Sequence, residues 1–166
     1  MYHRPFNAIV ATMLNIVLYQ PEIPPNTGNI IRLCANSGCT LHLIEPLGFD
    51  LEDKKMRRAG LDYREFADVQ LYASLVEFSE KEGEPRLFAA TTKGGTPYHD
   101  VSYQAGDAIV FGPETRGLPQ EFLDGLAPGQ AIRVPMKPHS RSLNLSNAVA
   151  LVAYEGLRQL GFPGLE

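Results

Sequence analysis

Residues 132–160 read IRVPMKPHSRSLNLSNAVALVAYEGLRQL, and the reading of the whole chain turns on them. The stretch opens as a short apolar strand, IRVP, breaks into a polar loop carrying Lys137, His139 and Arg141, and enters an apolar helix straight from Ser142-Leu143-Asn144-Leu145-Ser146. Ser and Asn at a helix start cap free backbone N–H groups. One cap needs one such residue, whereas Ser142, Asn144, Ser146 and Asn147 crowd within about a turn and a half of helix. The surplus donors and acceptors point to a binding surface.

Upstream, the same strand–loop–helix unit recurs. Leu14–Tyr19 is a continuous β-prone run, the pattern of a strand buried on both faces. Two prolines stop it, Asn26 or Thr27 can cap the helix that follows, and Gly38 ends that helix. A second strand is expected over Thr40–Glu45, then a helix capped by Asp50 and ending near Gly60, a third strand over Asp68–Tyr72, and a helix opened by the capping-box pair Ser74 and Glu77. Arg86–Thr91 and Ala108–Phe111 complete the strands before IRVP. The loop TTKGGTP can bring backbone N–H groups to a ligand, and Pro119 suits the first position of the helix PQEFLDGL. The sum is an α/β domain, a mainly parallel sheet flanked by helices.

The chain has 166 residues, 44% of them apolar, enough for one core without disulfide or metal staples. Residues 13–166 read as a single domain and residues 1–12 as an extension ahead of it. Lys and Arg number 15 against 19 Asp and Glu, a net charge of −4, which excludes coating nucleic acid by bulk charge but not a local basic patch. Cys34 and Cys39 form no metal-ligand spacing and read as reduced thiols, so no metal is expected. A secretory leader cleaved near the start would remove the strand LNIVLY, and no apolar run reaches the ~20 residues a membrane span needs. The expectation is a cytoplasmic protein with neither membrane nor DNA as partner.

In open parallel sheets ligands sit beyond the carboxyl ends of strands. Three such ends carry unusual residues: NTGNIIR after the first, FGPETRGLP after the fifth, and the segment from VPM to SLNLSN. The dinucleotide and Walker glycine signatures are missing, which disfavours an oxidoreductase or a P-loop enzyme.

Those three stretches, in that order, resemble the three motifs of the SPOUT class of RNA ribose methyltransferases. With ATTKG and RRAGLDY, nearly everything after residue 12 is similar to the small TrmL (YibK-like) type. The resemblance implies a C-terminal trefoil knot, a homodimer, S-adenosylmethionine bound in the knot, and methylation of the ribose 2'-hydroxyl of wobble nucleotide 34, cytidine or modified uridine, in leucine tRNA. It places the cofactor against Ala90, Thr91, Gly112, Ile132, Val134, Met136, Ser142 and Leu143.

The resemblance makes Arg32 the catalytic arginine. Since arginine stays protonated, it would grip a phosphate and the 2'-oxygen rather than act as a base. Glu114 would orient Arg32 or accept the proton, Ser142 and Asn144 would hold the ribose edge, and Tyr154 matches a tyrosine important in this type. RNA contacts are expected from Asn26, Asn29, Lys54, Lys55, Arg57, Arg58, Lys137 and Arg141, with Lys93, Arg116 and His139 near the rim and the first and last helices at the dimer interface. Two other readings stay open: methylation of another RNA, such as rRNA, and a noncatalytic RNA-binding dimer.

Overall fold

A computed structural model describes residues 13–52, 65–66 and 68–166. The expectations for residues 1–12, for the helix after Asp50 and for Lys54, Lys55, Arg57 and Arg58 lie outside those residues. In chain order the elements are β1 Asn15–Tyr19, α1 Pro24–Ser37, β2 Thr40–Ile44, β3 Gln70–Tyr72, α2 Leu75–Lys81, β4 Leu87–Ala90, β5 Thr96–Pro97, β6 Ala108–Phe111, α3 Gln120–Asp124, β7 Ala131–Arg133 and α4 Leu145–Leu160, with a short 3-10 turn at Tyr98–Asp100. The strands form one sheet in the order β3-β2-β1-β6-β4-β7-β5, and every pairing is parallel.

The unbroken apolar run of β1 has its cause in the layers. Leu14, Ile16, Val17 and Leu18 are all fully buried. Ile16 and Leu18 point to a layer filled by Ile30, Ile31 and Cys34 of α1 and Val149, Val152 and Leu157 of α4. Val17 points the other way, to Ile44, Phe78 of α2, Val110 and Leu118. Burying such a side chain contributes about 1.5–3 kcal/mol, so a strand apolar on both faces is stable only as the middle of a three-layer stack. Helices α1 and α4 pack on each other across the first layer. Gly156 lets α4 lie close to the start of β1, since a Cβ there would stand 2.6 Å from Leu14 Cδ1.

Three local expectations need correction. The cap of α1 is Ile23, not Asn26 or Thr27, and it offers no side-chain cap. Pro24 and Pro25 have no N–H to satisfy and form the first turn, while the amides of Asn26 and Thr27 turn back to the Ile23 carbonyl. Pro119 stands one position earlier than expected, at the cap of α3, with an extended ψ of 136°. Within TTKGGTP, Thr96–Pro97 is a strand, paired with β7 at the sheet edge, the place in a sheet that tolerates proline. The Ser74 cap is as expected: its hydroxyl accepts from Glu77 N at 3.0 Å.

Candidate functional site

Strands β4, β6 and β7 lie side by side and end together, so the loops that follow them converge on one cleft of about 500 Å3. Its walls include Ala90 and Thr91 after β4, Gly112 and Glu114 after β6, Val134 and Met136 after β7, and Ser142, Leu143 and Asn144 at the entry to α4. Two glycines make the convergence possible. A Cβ on Gly94 would lie 2.5 Å from the Ile132 carbonyl oxygen, and one on Gly112 would lie 2.7 Å from Gly117 C and Leu118 N. Both are backbone-on-backbone contacts that only glycine permits.

Asn26 ties the three motifs together. It is 6% exposed at the start of α1. Its Oδ1 accepts from Asn144 Nδ2 at 2.9 Å, and its own Nδ2 donates to Glu114 Oε1 at 3.5 Å. Asn144 is the cap of α4 and accepts from Ser146 N at 2.9 Å and Ser146 Oγ at 2.6 Å. The polar surplus at residues 142–147 is thus partly structural: Asn144 and Ser146 satisfy each other and Asn26, while Ser142 stays exposed on the cleft.

Glu114 accepts from the backbone amides of Glu22 at 2.8 Å and Ile23 at 3.1 Å. It therefore holds, from 92 residues away, the two residues that lead into α1. In return Glu22 accepts from the Thr115 amide at 3.1 Å and the Thr115 hydroxyl at 2.8 Å. The Thr115 hydroxyl, and after it the Thr115 amide, hold the Glu22 carboxyl below its usual range. Arg116 on the cleft rim donates to Gln20 at 3.2 Å. None of Gln20, Glu22 or Thr115 was singled out from the sequence. Nothing local in the sequence signals them, because each meets its partner only through the fold.

The profile of the SpoU rRNA Methylase family matches residues 13–154, most of the chain and all three of these motifs. The chain belongs to the SpoU methylase family. Among its relatives, the tRNA (cytidine(34)-2'-O)-methyltransferase of Escherichia coli K12 is 63% identical over 152 residues, covering 92% of this chain and 97% of the relative. The protein of the same name from Burkholderia pseudomallei is 56% identical, covering 92% and 99%. A solved structure concerned with the 2-OH methylation of C/U34 on tRNA superposes with a TM-score of 0.83 at 45% identity, covering 91% and 98%. The SpoU methyltransferase AviRb from Streptomyces viridochromogenes, in complex with AdoMet, shares the fold with a TM-score of 0.80 at 22% identity, covering 92% of this chain and 60% of that one.

Not every expected residue of this SpoU-family chain reaches the cleft wall. Ile132 is fully buried beneath it and contributes its carbonyl, which accepts from Thr91 N at 2.9 Å. Arg32 lies six residues beyond Asn26 on α1, about 9 Å along the axis, and is held by Glu65 at 3.4 Å. Tyr154 is 40% exposed on α4, its ring 6.3 Å from that of Phe162. Asn29, Lys137, His139 and Arg141 are exposed outside the cleft lining, whereas Lys93 and Arg116 stand on its rim.

Proposed function

We propose that this chain transfers a methyl group from S-adenosylmethionine to the ribose 2'-hydroxyl of nucleotide 34 in tRNA, with leucine isoacceptors as its substrates. The observation that carries this reading is the 63% identity to the E. coli cytidine-34 enzyme along 92% of the chain, with Asn26, Glu114 and Asn144, one residue from each motif, meeting at one cleft.

The cleft fits the donor. About 500 Å3 is within the range of small-molecule sites. Val134, Leu143 and Leu118 offer apolar surface for a purine, and Thr91 and Ser142 offer hydroxyls beside it. The closeness of Gly112 to Gly117 leaves backbone, not side chain, at the wall. When bound, the donor supplies an electrophilic methyl on a sulfonium. The chain has to bring the 2'-oxygen into line with it, and positioning of this kind accounts for much of such a rate. Arg32, protonated at any physiological pH, stabilises negative charge developing on the 2'-oxygen and grips the adjoining phosphate. Glu114, with both oxygens on amides of the α1 entry, fixes that helix relative to the cleft. Ser142 faces the ribose edge, and Asn144 sets the direction of α4 beneath it.

The charged rim, Lys93 and Arg116 with the nearby Lys137, His139 and Arg141, faces RNA phosphate, which fixes register rather than sequence. A homodimer joined through α1 and α4 completes the tRNA surface. Leu151 and Tyr154 of α4 and Phe162 just after it, all more than a third exposed, support that face. The trefoil threading of the segment after β7 is supported by β7 lying between β4 and β5, with Gly94 packed on the Ile132 carbonyl. We place the protein in the cytoplasm, with its tRNA.

The test is transfer of labelled methyl from S-adenosylmethionine to total RNA, followed by nucleotide mapping. Label at position 34 of leucine tRNA is expected, and label confined to rRNA would move the target. Arg32→Ala should keep donor binding while transfer falls by at least ~100-fold, the scale of losing a transition-state donor. Full activity in that variant would remove the mechanism, and absence of donor binding in the unaltered protein would turn the reading to a noncatalytic RNA-binding dimer.

A further inference from the structure

The loop after β6 and the entry to α1 are held by two carboxylates working in opposite directions. Glu114 of the loop takes the amides of Glu22 and Ile23, and Glu22 of the entry takes the amide of Thr115 at 3.1 Å and its hydroxyl at 2.8 and 2.9 Å. Each peptide segment thus lends its N–H groups to the side chain of the other. Most of the clasp is open to solvent, with both carboxylates half-buried, so its value lies more in geometry than in stability. One end of it, the loop 112–117, is a wall of the cleft, and the other end starts the helix that carries Arg32. Glu22 itself is not in the cleft lining.

We propose that Glu22 is a positioning residue for the methyl donor: through Thr115 it sets the loop 112–117 at the distance from α1 that the donor requires, without touching the donor. The inference rests on the donor occupying this cleft, as proposed above. Since two acceptor contacts fall on Oε1, an amide oxygen at the same place can do the work, and the charge is dispensable.

The test is calorimetric titration of the full chain with S-adenosylmethionine, alongside initial rates of methyl transfer. Glu22→Ala should weaken donor binding about tenfold with kcat at saturating donor held within about threefold, as expected when a wall is loosened and the reacting groups are not. Glu22→Gln should stay within about twofold of the unaltered protein, because its oxygen still accepts from Thr115. Thr115→Val removes the hydroxyl contact and keeps the amide one, so it should weaken binding less than Glu22→Ala and add nothing to it. Ser142→Trp, which puts bulk into the cleft from an exposed position, reports on where the donor sits. If Ser142→Trp is weak and Glu22→Ala binds normally, the clasp inference falls while the site stands. A Glu22→Gln variant as weak as Glu22→Ala also overturns it, by showing that charge is what matters. If Ser142→Trp binds normally, the cleft is not the donor site and both readings go. Should Glu22→Ala fail to fold, Glu22→Ser, whose side chain is too short to reach Thr115, takes its place, and normal binding by it overturns the inference.

Discussion

Replacing Gly112 by alanine tests whether the cleft depends on two stretches of backbone touching. The added Cβ would lie 2.7 Å from Gly117 C and from Leu118 N, and 3.0 Å from Gly117 Cα. Ordinary contact begins near 3.4 Å, so residues 117–118 must retreat by about 0.7 Å. Retreat is resisted on two sides: Gly117 N is bonded to the Pro113 carbonyl at 3.2 Å, and Thr115 between them is held by Glu22. Leu118 beyond them packs in the core layer beneath the sheet. Overpacking of this kind costs about 1–3 kcal/mol, a fall in melting temperature of roughly 4–8 °C for 2 kcal/mol in a chain of this size. Because the displaced residues line the cleft, S-adenosylmethionine affinity should fall by about tenfold or more. Gly129→Ala is the control. Gly129, unlike Gly112, has a positive φ, +87°, and nothing within 4 Å of its Cβ, so it should lose about 1 kcal/mol through backbone strain and keep its affinity. Melting curves and calorimetry on both variants decide the matter. Gly112→Ala with unaltered affinity, or a loss shared equally by Gly129→Ala, would refute the argument.

Burial holds the His42 imidazole down at about 4, the Glu82 charge offsetting this only in part. His42 is therefore neutral when folded but titrates near 6.5 when unfolded, so stability should fall as pH drops from 6.5 to about 4, by roughly 3 kcal/mol in all. Urea unfolding at pH 7 and 4.5 should show a flatter dependence in His42→Gln, and an identical slope would count against it. Asp107 is 2% exposed and accepts from Arg86 Nε at 2.9 Å, Arg86 Nη2 at 2.7 Å and the Gln104 amide at 2.7 Å. Asp107→Ala should cost about 2–3 kcal/mol in denaturant unfolding, below the figure for a fully buried pair because Arg86 reaches water, and a loss under 1 kcal/mol would show that the pair contributes little. Ser74→Ala removes the cap of α2 and should cost about 1 kcal/mol with no change in donor affinity, whereas an affinity loss would tie α2 to the site.

The sheet was legible where a strand is buried on both faces. β6 falls on the expected residues 108–111 and β1 within one residue of its expected start, because an apolar run without alternation has few other places to go. The edge was less legible: β5 is two residues, one of them proline, and among the described residues pairs only with β7. At the site, the crowding of Ser and Asn pointed to Ser142 and Asn144, and the family resemblance to Gly112 and Glu114, but neither pointed to their partners. Glu114 reads as a catalytic carboxylate from its motif, yet what it holds is the start of α1, which no local pattern reveals. Asn26 reads as an RNA contact, yet it is buried between Glu114 and Asn144. Periodicity reports which face of an element is apolar; it is silent on which polar groups meet across 92 or 118 residues.

That separation bears on how the site is made. Each of the contacts Glu114–Glu22, Asn144–Asn26 and Thr91–Ile132 joins elements that are apart in sequence and become neighbours only once β1, β6, β4 and β7 are side by side. The loops could not hold this geometry alone: Gly94 and Gly112 have no side chains to pack, and the carboxylates of the clasp are only half-buried. What places them is the sheet, whose strands β4, β6 and β7 end at one level because Ala90, Phe111 and Ile132 are in register. Precision at the cleft is therefore borrowed from the apolar layers below, and the polar contacts at the rim fix the last increment of distance rather than the fold itself.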